Sequence, residues 1–471
     1  MINKVLAILM LFSSTLSFAQ DYQRYVRDFV SKPYFVQGRV GIVIKDLSHS
    51  RLLVDYNSDK FLIPASVQKI LTTFASLDIF GPSYRFHTNL GYNGVIKDSI
   101  LYGDLIIKGY GDPTTGSENF DDTMFLSSFV EAVKKAGIKQ IKGNIVADAS
   151  YFDPLPTPAK WTWEDLGNYY GAAPTALCIY DNTYRLVMRT FSPGQPARII
   201  TIVPQIPGLK LHSYVRSAYI RSDQSYIIGS PGCMERSIVG RLPAHRKEFI
   251  VKGAIPDPPL FFAQLIREAL DTAGIIIEGK ACTARADTMV NLFTLYSPSL
   301  LQIIQLTNHK SVNLYAEVLL KHLALKYADT ADTRTGITAL YNFWASRGVD
   351  TSQMILYDGS GLSRYNVLTP GLMASVLESI YHSRNFDNFL TSLPVAGNSG
   401  TLKYIGRRTL LQDHFYAKSG SMRRVRNYAG YFFDKKGNVY SVVIMLNDFT
   451  CSQAVARREI VNFLTTIFRN D

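Results

Sequence analysis

With 471 residues, 47% of them hydrophobic, the chain can bury a large core and is expected to form two or three domains. Its formal charge of +12 draws it toward anionic polymers or membrane surfaces. The basic residues are scattered and no nucleic-acid recognition motif is present, which argues against nucleic acid. Four cysteines (Cys178, Cys233, Cys282 and Cys451) fit no zinc spacing, and the eight histidines form no i, i+4 pair, so neither a metal nor a cofactor is expected. At most one disulfide is expected among the four.

Residues 1–19 read as a secretory signal: Lys4 supplies the positive start, Val5 to Phe12 the apolar centre, and Ser17-Phe18-Ala19 a small-x-small cleavage site before Gln20. An uncleaved anchor fits less well, because the apolar run is short and Ser-interrupted. No cysteine follows for lipid attachment and no later stretch is long enough to span a bilayer, so an exported, soluble mature protein of charge +11 is expected. Tyr22 to Val30 forms a short helical lead. Arg39 to Leu47 and Leu52 to Tyr56 read as strands joined through Ser48-His49-Ser50.

Pro64-Ala65-Ser66-Val67-Gln68-Lys69 comes next, ahead of the apolar run Ile70 to Ala75. Pro64 suits a helix entry, and a helix starting there sets Ser66 and Lys69 one turn apart on one face. That pairs a hydroxyl with an amine able to take its proton. Between about 87 and 285 short strands alternate with turns, with helices at Thr123 to Ala136 and Pro259 to Ala273. Residues 299–381 are mainly helical. Tyr428 to Phe433 and Val439 to Leu446 form a second strand pair, and Ser452 to Phe468 an amphipathic closing helix. One antiparallel sheet built from both chain ends, beside a helical lobe, is the economical arrangement.

Two further motifs follow Ser66-x-x-Lys69: Lys310-Ser311-Val312-Asn313-Leu314 and Ala417-Lys418-Ser419-Gly420-Ser421. Ser-x-x-Lys, Ser-Asp-Asn and Lys-Thr-Gly together mark β-lactamases and penicillin-binding proteins. Val312 stands here for the Asp and Ser419 for the Thr, which preserves a hydroxyl, an amide, a cation and a second hydroxyl. The sequence resembles the low-molecular-mass class C penicillin-binding proteins, the D-alanyl-D-alanine carboxypeptidase/endopeptidase family, over nearly the whole mature chain. Gly109 to Pro113, Asn144 to Asp148, Trp161 to Leu166, Tyr169 to Ala172, Asp358 to Arg364 and Gly400 to Leu402 carry the rest of the likeness.

The resemblance implies an α+β fold: a transpeptidase domain from residues 20–86 and 286–471, with 87–285 inserted as one or two β-rich domains. It implies that Ser66 attacks the carbonyl between two D-alanines, with Lys69 as base and Ser311 relaying a proton to the departing amine. Lys69 acting directly, or Ser311 bridging to Lys418, would both fit. Asn313 would bind the substrate amide, and Lys418 and Ser419 the terminal carboxylate. The Ser66 and Ser421 N–H groups would form an oxyanion hole, a feature worth about 3–4 kcal/mol per donor, and Gly420 would be a further substrate-binding position. Asp148 and Arg364 match an acidic and a basic position for the stem-peptide side chain; equally, Asp148 caps a turn and Arg364 makes a structural ion pair. Arg423 adds charge where relatives can carry a neutral amide. Trp161 and Trp163 read as packing residues.

Peptidoglycan stem peptides are the implied substrates and β-lactams the implied covalent inhibitors, in the periplasm. Peripheral association with membrane or cell wall and a homodimer stay open. A serine β-lactamase is the nearest alternative, against which stand Ser311 at the head of the middle motif and the large insert. A non-catalytic wall-binding or β-lactam-sensing protein is another, opposed by the intact set of motif side chains.

Overall fold

The computed structural model describes residues 21–120, 124–329 and 331–469; the signal read in residues 1–19 lies outside them. The chain divides into two compact units, one of residues 1–79, 304–311 and 340–471, the other of 80–303 and 312–339.

In the first unit both chain ends build one antiparallel sheet, in the order Arg51–Tyr56, Arg39–Asp46, Val439–Asn447, Val425–Phe433, Phe415–Met422. Every residue of Val439–Asn447 is buried, as its central place requires. The closing helix, Gln453–Arg469, covers one face: Phe463, Leu464 and Phe468 pack with Ile42, Phe432 and Ile444, and Phe468 stacks on Phe432 at 3.9 Å. Helix Pro370–Tyr381 packs elsewhere on the sheet, where Tyr431 donates to its Leu377 carbonyl at 2.7 Å. Pro370 opens that helix and the Thr369 hydroxyl caps it by accepting from Leu372 N–H.

Among its described residues the second unit carries four sheets, with helices Phe125–Lys135 and Pro258–Thr272 packed around one core that includes Phe129, Leu186, Ile238 and Phe262. Asp257 caps the second helix through Leu260 N–H, with proline at its first turn. Helix Asn313–Ala324 is buried from Leu314 to Ala324. Its inward polar groups are matched: Lys321 with Asp153 at 2.6 Å, His322 with the Gly111 carbonyl at 3.1 Å. All four cysteines are free thiols. No helix among the described residues is long and apolar enough to cross a membrane.

Candidate active site

Ser66 does not sit in an α-helix. Ala65–Gln68 is a 3₁₀ turn, and the α-helix begins at Lys69 and runs to Phe80. The cause is Ala65, whose φ of +47° keeps the chain out of the α-helical path. Residues three apart eclipse in a 3₁₀ turn, so Ser66 and Lys69 still face each other. Lys69 Nζ lies 3.0 Å from Ser66 Oγ and donates to the Ser360 carbonyl at 2.7 Å.

That carbonyl belongs to a loop built around Asp358. Its buried carboxylate accepts from the N–H groups of Gly361 (2.8 Å) and Ser363 (2.6 Å) and from Asn366 Nδ2 (2.8 Å). Gln68 and Thr72, on the Ser66 turn and its helix, donate to the carbonyls of Asp358 and Gly359 at 2.5 and 2.8 Å. Gly361, at φ +78°, is required here, because a Cβ on it would lie 2.1 Å from the Ala65 carbonyl oxygen.

Lys418 and Ser419 are the fourth and fifth residues of Phe415–Met422, the edge strand of the sheet. Lys418 is fully buried and donates to Ser311 Oγ and to the Ser419 carbonyl, both at 2.9 Å. Burial first, and the charge of Lys69 second, hold its pKa well below that of an ordinary lysine. Ser311 adopts φ +59°. Ser419 Oγ donates to Thr401 Oγ1 at 2.8 Å. Gly420 packs on the Ser66 turn: a Cβ there would lie 2.6 Å from the Pro64 carbonyl and 3.2 Å from Ser66 N. Ser421 and Arg423 are exposed. Asn427, on the next strand, donates to the carbonyls of Ile63 and Pro64 at 2.9 and 2.7 Å and so ties the turn to the sheet.

The structure thus brings Ser66, Lys69, Ser311, Lys418, Ser419 and Gly420 into the first unit, linked by these contacts. Residues 23–467 match the D-Ala-D-Ala carboxypeptidase 3 (S13) family. The chain belongs to that family. It is a serine peptidase of the D-Ala-D-Ala carboxypeptidase class, with the penicillin-binding α+β fold that the resemblance implied. It is 28% identical over 429 residues to D-alanyl-D-alanine carboxypeptidase DacB of Haemophilus influenzae, spanning 87% of this chain and 86% of that one. It is 26% identical over 420 residues to a D-alanyl-D-alanine carboxypeptidase of an Actinomadura species, spanning 86% and 77%. The crystal structure of penicillin binding protein 4 (dacB) from Haemophilus influenzae superposes with a TM-score of 0.82 at 28% identity, over 94% of this chain and 98% of that one.

Three further expected site residues have the following surroundings. Asn313, first residue of its helix in the second unit, donates to the Tyr170 carbonyl at 2.8 Å. Asp148, in the same unit, is fully buried and accepts from Ser150 N–H (2.9 Å) and Ala286 N–H (3.1 Å), with Lys108 at 3.4 Å. Burial pushes its pKa up, but these donors outweigh that and hold it below the usual carboxylate value. It also lines a cleft of about 610 Å³ with Phe152, Thr175 and Arg285. Arg364 is exposed. Trp161 is buried as expected, whereas Trp163 is 67% exposed and packs nothing away.

Sequence reasoning missed Gln68, Ser360, Thr401 and Asn427. Asn427 carried a usable signal, a lone amide inside a strand that is apolar and aromatic apart from Arg426. Ser360 carried none, because it acts through its main chain.

Proposed function

We propose that the protein is an exported D-alanyl-D-alanine carboxypeptidase and DD-endopeptidase that cleaves peptidoglycan stem peptides through an acyl-enzyme and is inhibited by β-lactams. The observation that carries this reading is the 3.0 Å approach of Lys69 Nζ to Ser66 Oγ beside a second buried lysine. With Lys69 neutral, that contact reverses: Ser66 donates its proton to the amine as Oγ attacks the D-alanyl carbonyl carbon. The N–H groups of Ser66 and Ser421 stabilise the oxyanion. Collapse expels D-alanine: the proton Lys69 took from Ser66 passes through Ser311, which Lys418 holds at 2.9 Å, to the departing amine, leaving Lys69 neutral again. Water then attacks the acyl carbon and gives a proton to Lys69, which hands that same proton to Ser66 Oγ as the acyl–oxygen bond breaks, restoring the serine hydroxyl and the neutral amine.

Lys418 and Ser419 hold the substrate carboxylate, a free anion found only at a peptide's C-terminus. Asn313 takes the substrate amide. A β-lactam presents a similar acyl and carboxylate and acylates the same oxygen. We assign the chemistry to residues 20–86 and 286–471, and substrate selection to the insert 87–285 with Asp148 and to Arg364. The names of the relatives support the carboxypeptidase activity and the penicillin reaction; endopeptidase action rests on the resemblance and the chemistry.

The test is to incubate purified muropeptides with wild-type and Ser66→Ala protein and weigh the products. Loss of one alanine establishes the carboxypeptidase and conversion of dimers to monomers the endopeptidase. Products from the Ser66→Ala protein equal to those of wild type would sink the assignment.

A further inference from the structure

Residues 183–254 hold eleven Lys and Arg against three Asp and Glu, a net +8 of the chain's +12. The concentration is invisible as a run of basic residues, because the strands scatter it; the sheets gather it onto surfaces. In the three-stranded sheet Arg198–Val203, Thr183–Arg189, Phe249–Ala254, the residues Tyr184, Leu186, Met188 and Val251 point inward and are buried. The opposite face presents Arg185, Arg189, Arg198 and Lys252.

The register sharpens this. Arg198 stands directly across from Arg189, and Lys252 across from Arg185; in the neighbouring four-stranded sheet Arg216 stands across from Arg241. Like charges facing each other across strands cost stability. Of these six, Arg185 pairs with the Glu118 carboxylate and Lys252 lies within electrostatic reach of Asp181; Arg189, Arg198, Arg216 and Arg241 make no ion pair among the described residues. Beside the first sheet, Arg189, His245, Arg246 and Lys247 line a concavity of about 300 Å³ with no carboxylate in its wall. Glu248, the acid next in sequence, makes no ion pair among the described residues. Interleaved with these cations are aliphatic side chains left in solvent: Ile200 at 49%, Val203 at 43% and Ile250 at 53% exposure.

We propose that this face docks the protein on an anionic phospholipid surface, with phosphate headgroups among Arg189, Arg198, Arg246 and Lys247 and the aliphatic side chains at the headgroup–acyl boundary. Phosphates between the opposed arginines turn an internal repulsion into an attraction. The aliphatic residues choose lipid over a soluble polyanion: basic groups flanked by exposed apolar ones suit a membrane interface, whereas a hydrophilic polymer gives Ile200 and Ile250 nothing to enter. The inference is independent of the reaction at Ser66.

The test uses the full chain and sedimentation with phosphatidylcholine vesicles, with and without one third phosphatidylglycerol. Binding is expected to the anionic vesicles alone and to weaken with salt. Replacing Arg189, Arg198, Arg246 and Lys247 together by Gln should weaken it about 10²- to 10³-fold. Replacing Lys97, Lys134, Arg267 and Lys435 by Gln, the same charge removed elsewhere, should change it less than about 3-fold. Ile200→Ser with Val203→Ser and Ile250→Ser should lower vesicle binding about tenfold and leave binding to soluble poly(glycerol phosphate) unchanged.

The single variant Arg198→Gln guards against misfolding, since relieving the opposed pair should raise the unfolding midpoint while lowering vesicle affinity about 5-fold. No binding to anionic vesicles, or equal losses in the two four-charge variants, overturns the proposal. So does wild-type vesicle binding by the triple serine variant, which would transfer the face to a wall polymer.

Discussion

The Asp358→Asn variant tests whether the loop behind Lys69 is an electrostatic frame. The carboxylate is buried, and its named neighbours on the two oxygens, Gly361 N, Asn366 Nδ2, Gln68 Nε2 and Ser363 N, are all donors. Asparagine keeps the shape but turns one acceptor into a donor. With its oxygen in the place of Oδ1, its amide nitrogen faces the N–H of Ser363, itself 1% exposed, so water cannot compensate. One buried donor left unmatched costs about 1–3 kcal/mol, and the three surviving bonds each weaken by roughly 1 kcal/mol as the acceptor loses its charge. Relief from burying a charge offsets part of this. A net loss of about 2–4 kcal/mol is expected in urea unfolding. Because the same loop sets the Ser360 carbonyl on Lys69, kcat on a soluble D-Ala-D-Ala peptide should fall about 10- to 100-fold with KM nearly unchanged. Unchanged stability would refute the donor accounting; lost stability with wild-type kcat would refute the positioning.

Gly420→Ala should cut acylation by a penicillin at least tenfold, since its Cβ meets the Pro64 carbonyl at 2.6 Å and must push the Ser66 turn off the strand; wild-type acylation kinetics would contradict this. Burial holds Lys418 below the ordinary lysine range, so under its proposed role the cation for the substrate carboxylate is lost early as pH rises and KM should climb. A KM flat up to the ordinary lysine pKa would exclude that role. His322 is fully buried with its pKa lowered to about 4 from 6.5, chiefly by burial. Its contribution is complete above pH 6.5 and is lost as pH falls toward 4, where the unfolded chain binds a proton that the folded chain does not. Wild type should therefore lose about 3 kcal/mol relative to His322→Gln across that window, and a pH-independent difference between the two would disprove it.

Much of the first unit was legible because its signals are local. The strands at both ends alternate or run apolar over the lengths the sheet needs, and each pair is joined by a short turn, so residues 39–56 and 425–447 declare themselves. The three motifs are legible for another reason: hydroxyl, amine and amide at fixed spacing is chemistry written in side chains. What stayed hidden acts through the main chain or through distance. The φ of Ala65 decides between a 3₁₀ turn and a helix, and alanine gives no sign of it. The Ser360 carbonyl has no letter of its own. In the insert, Leu105–Gly109 pairs in parallel with Ile145–Asp148 across some forty residues, which no local period encodes. Asp148 shows the remaining ambiguity: an acid at a strand end reads alike whether it caps Ser150 or waits for an ammonium.

The site gathers features that each cost free energy. Ala65 and Ser311 hold positive φ, and two lysines share a space from which water is excluded. None of these would persist in an isolated segment. They persist because rigid partners overdetermine them: Asn427 fixes the carbonyls before the turn, Gly361 lets the Asp358 loop close on Ala65, and the edge strand delivers Lys418 from a fully paired sheet. The consequence is chemical. Charging both lysines at once is opposed by their repulsion and by burial, so the pair favours one ammonium and one amine. The proposed acyl transfer, which must deprotonate a serine and hold a carboxylate in the same step, needs that division. It follows that removing either lysine should alter the titration of the other, and that a neutral isostere at one position cannot restore both functions.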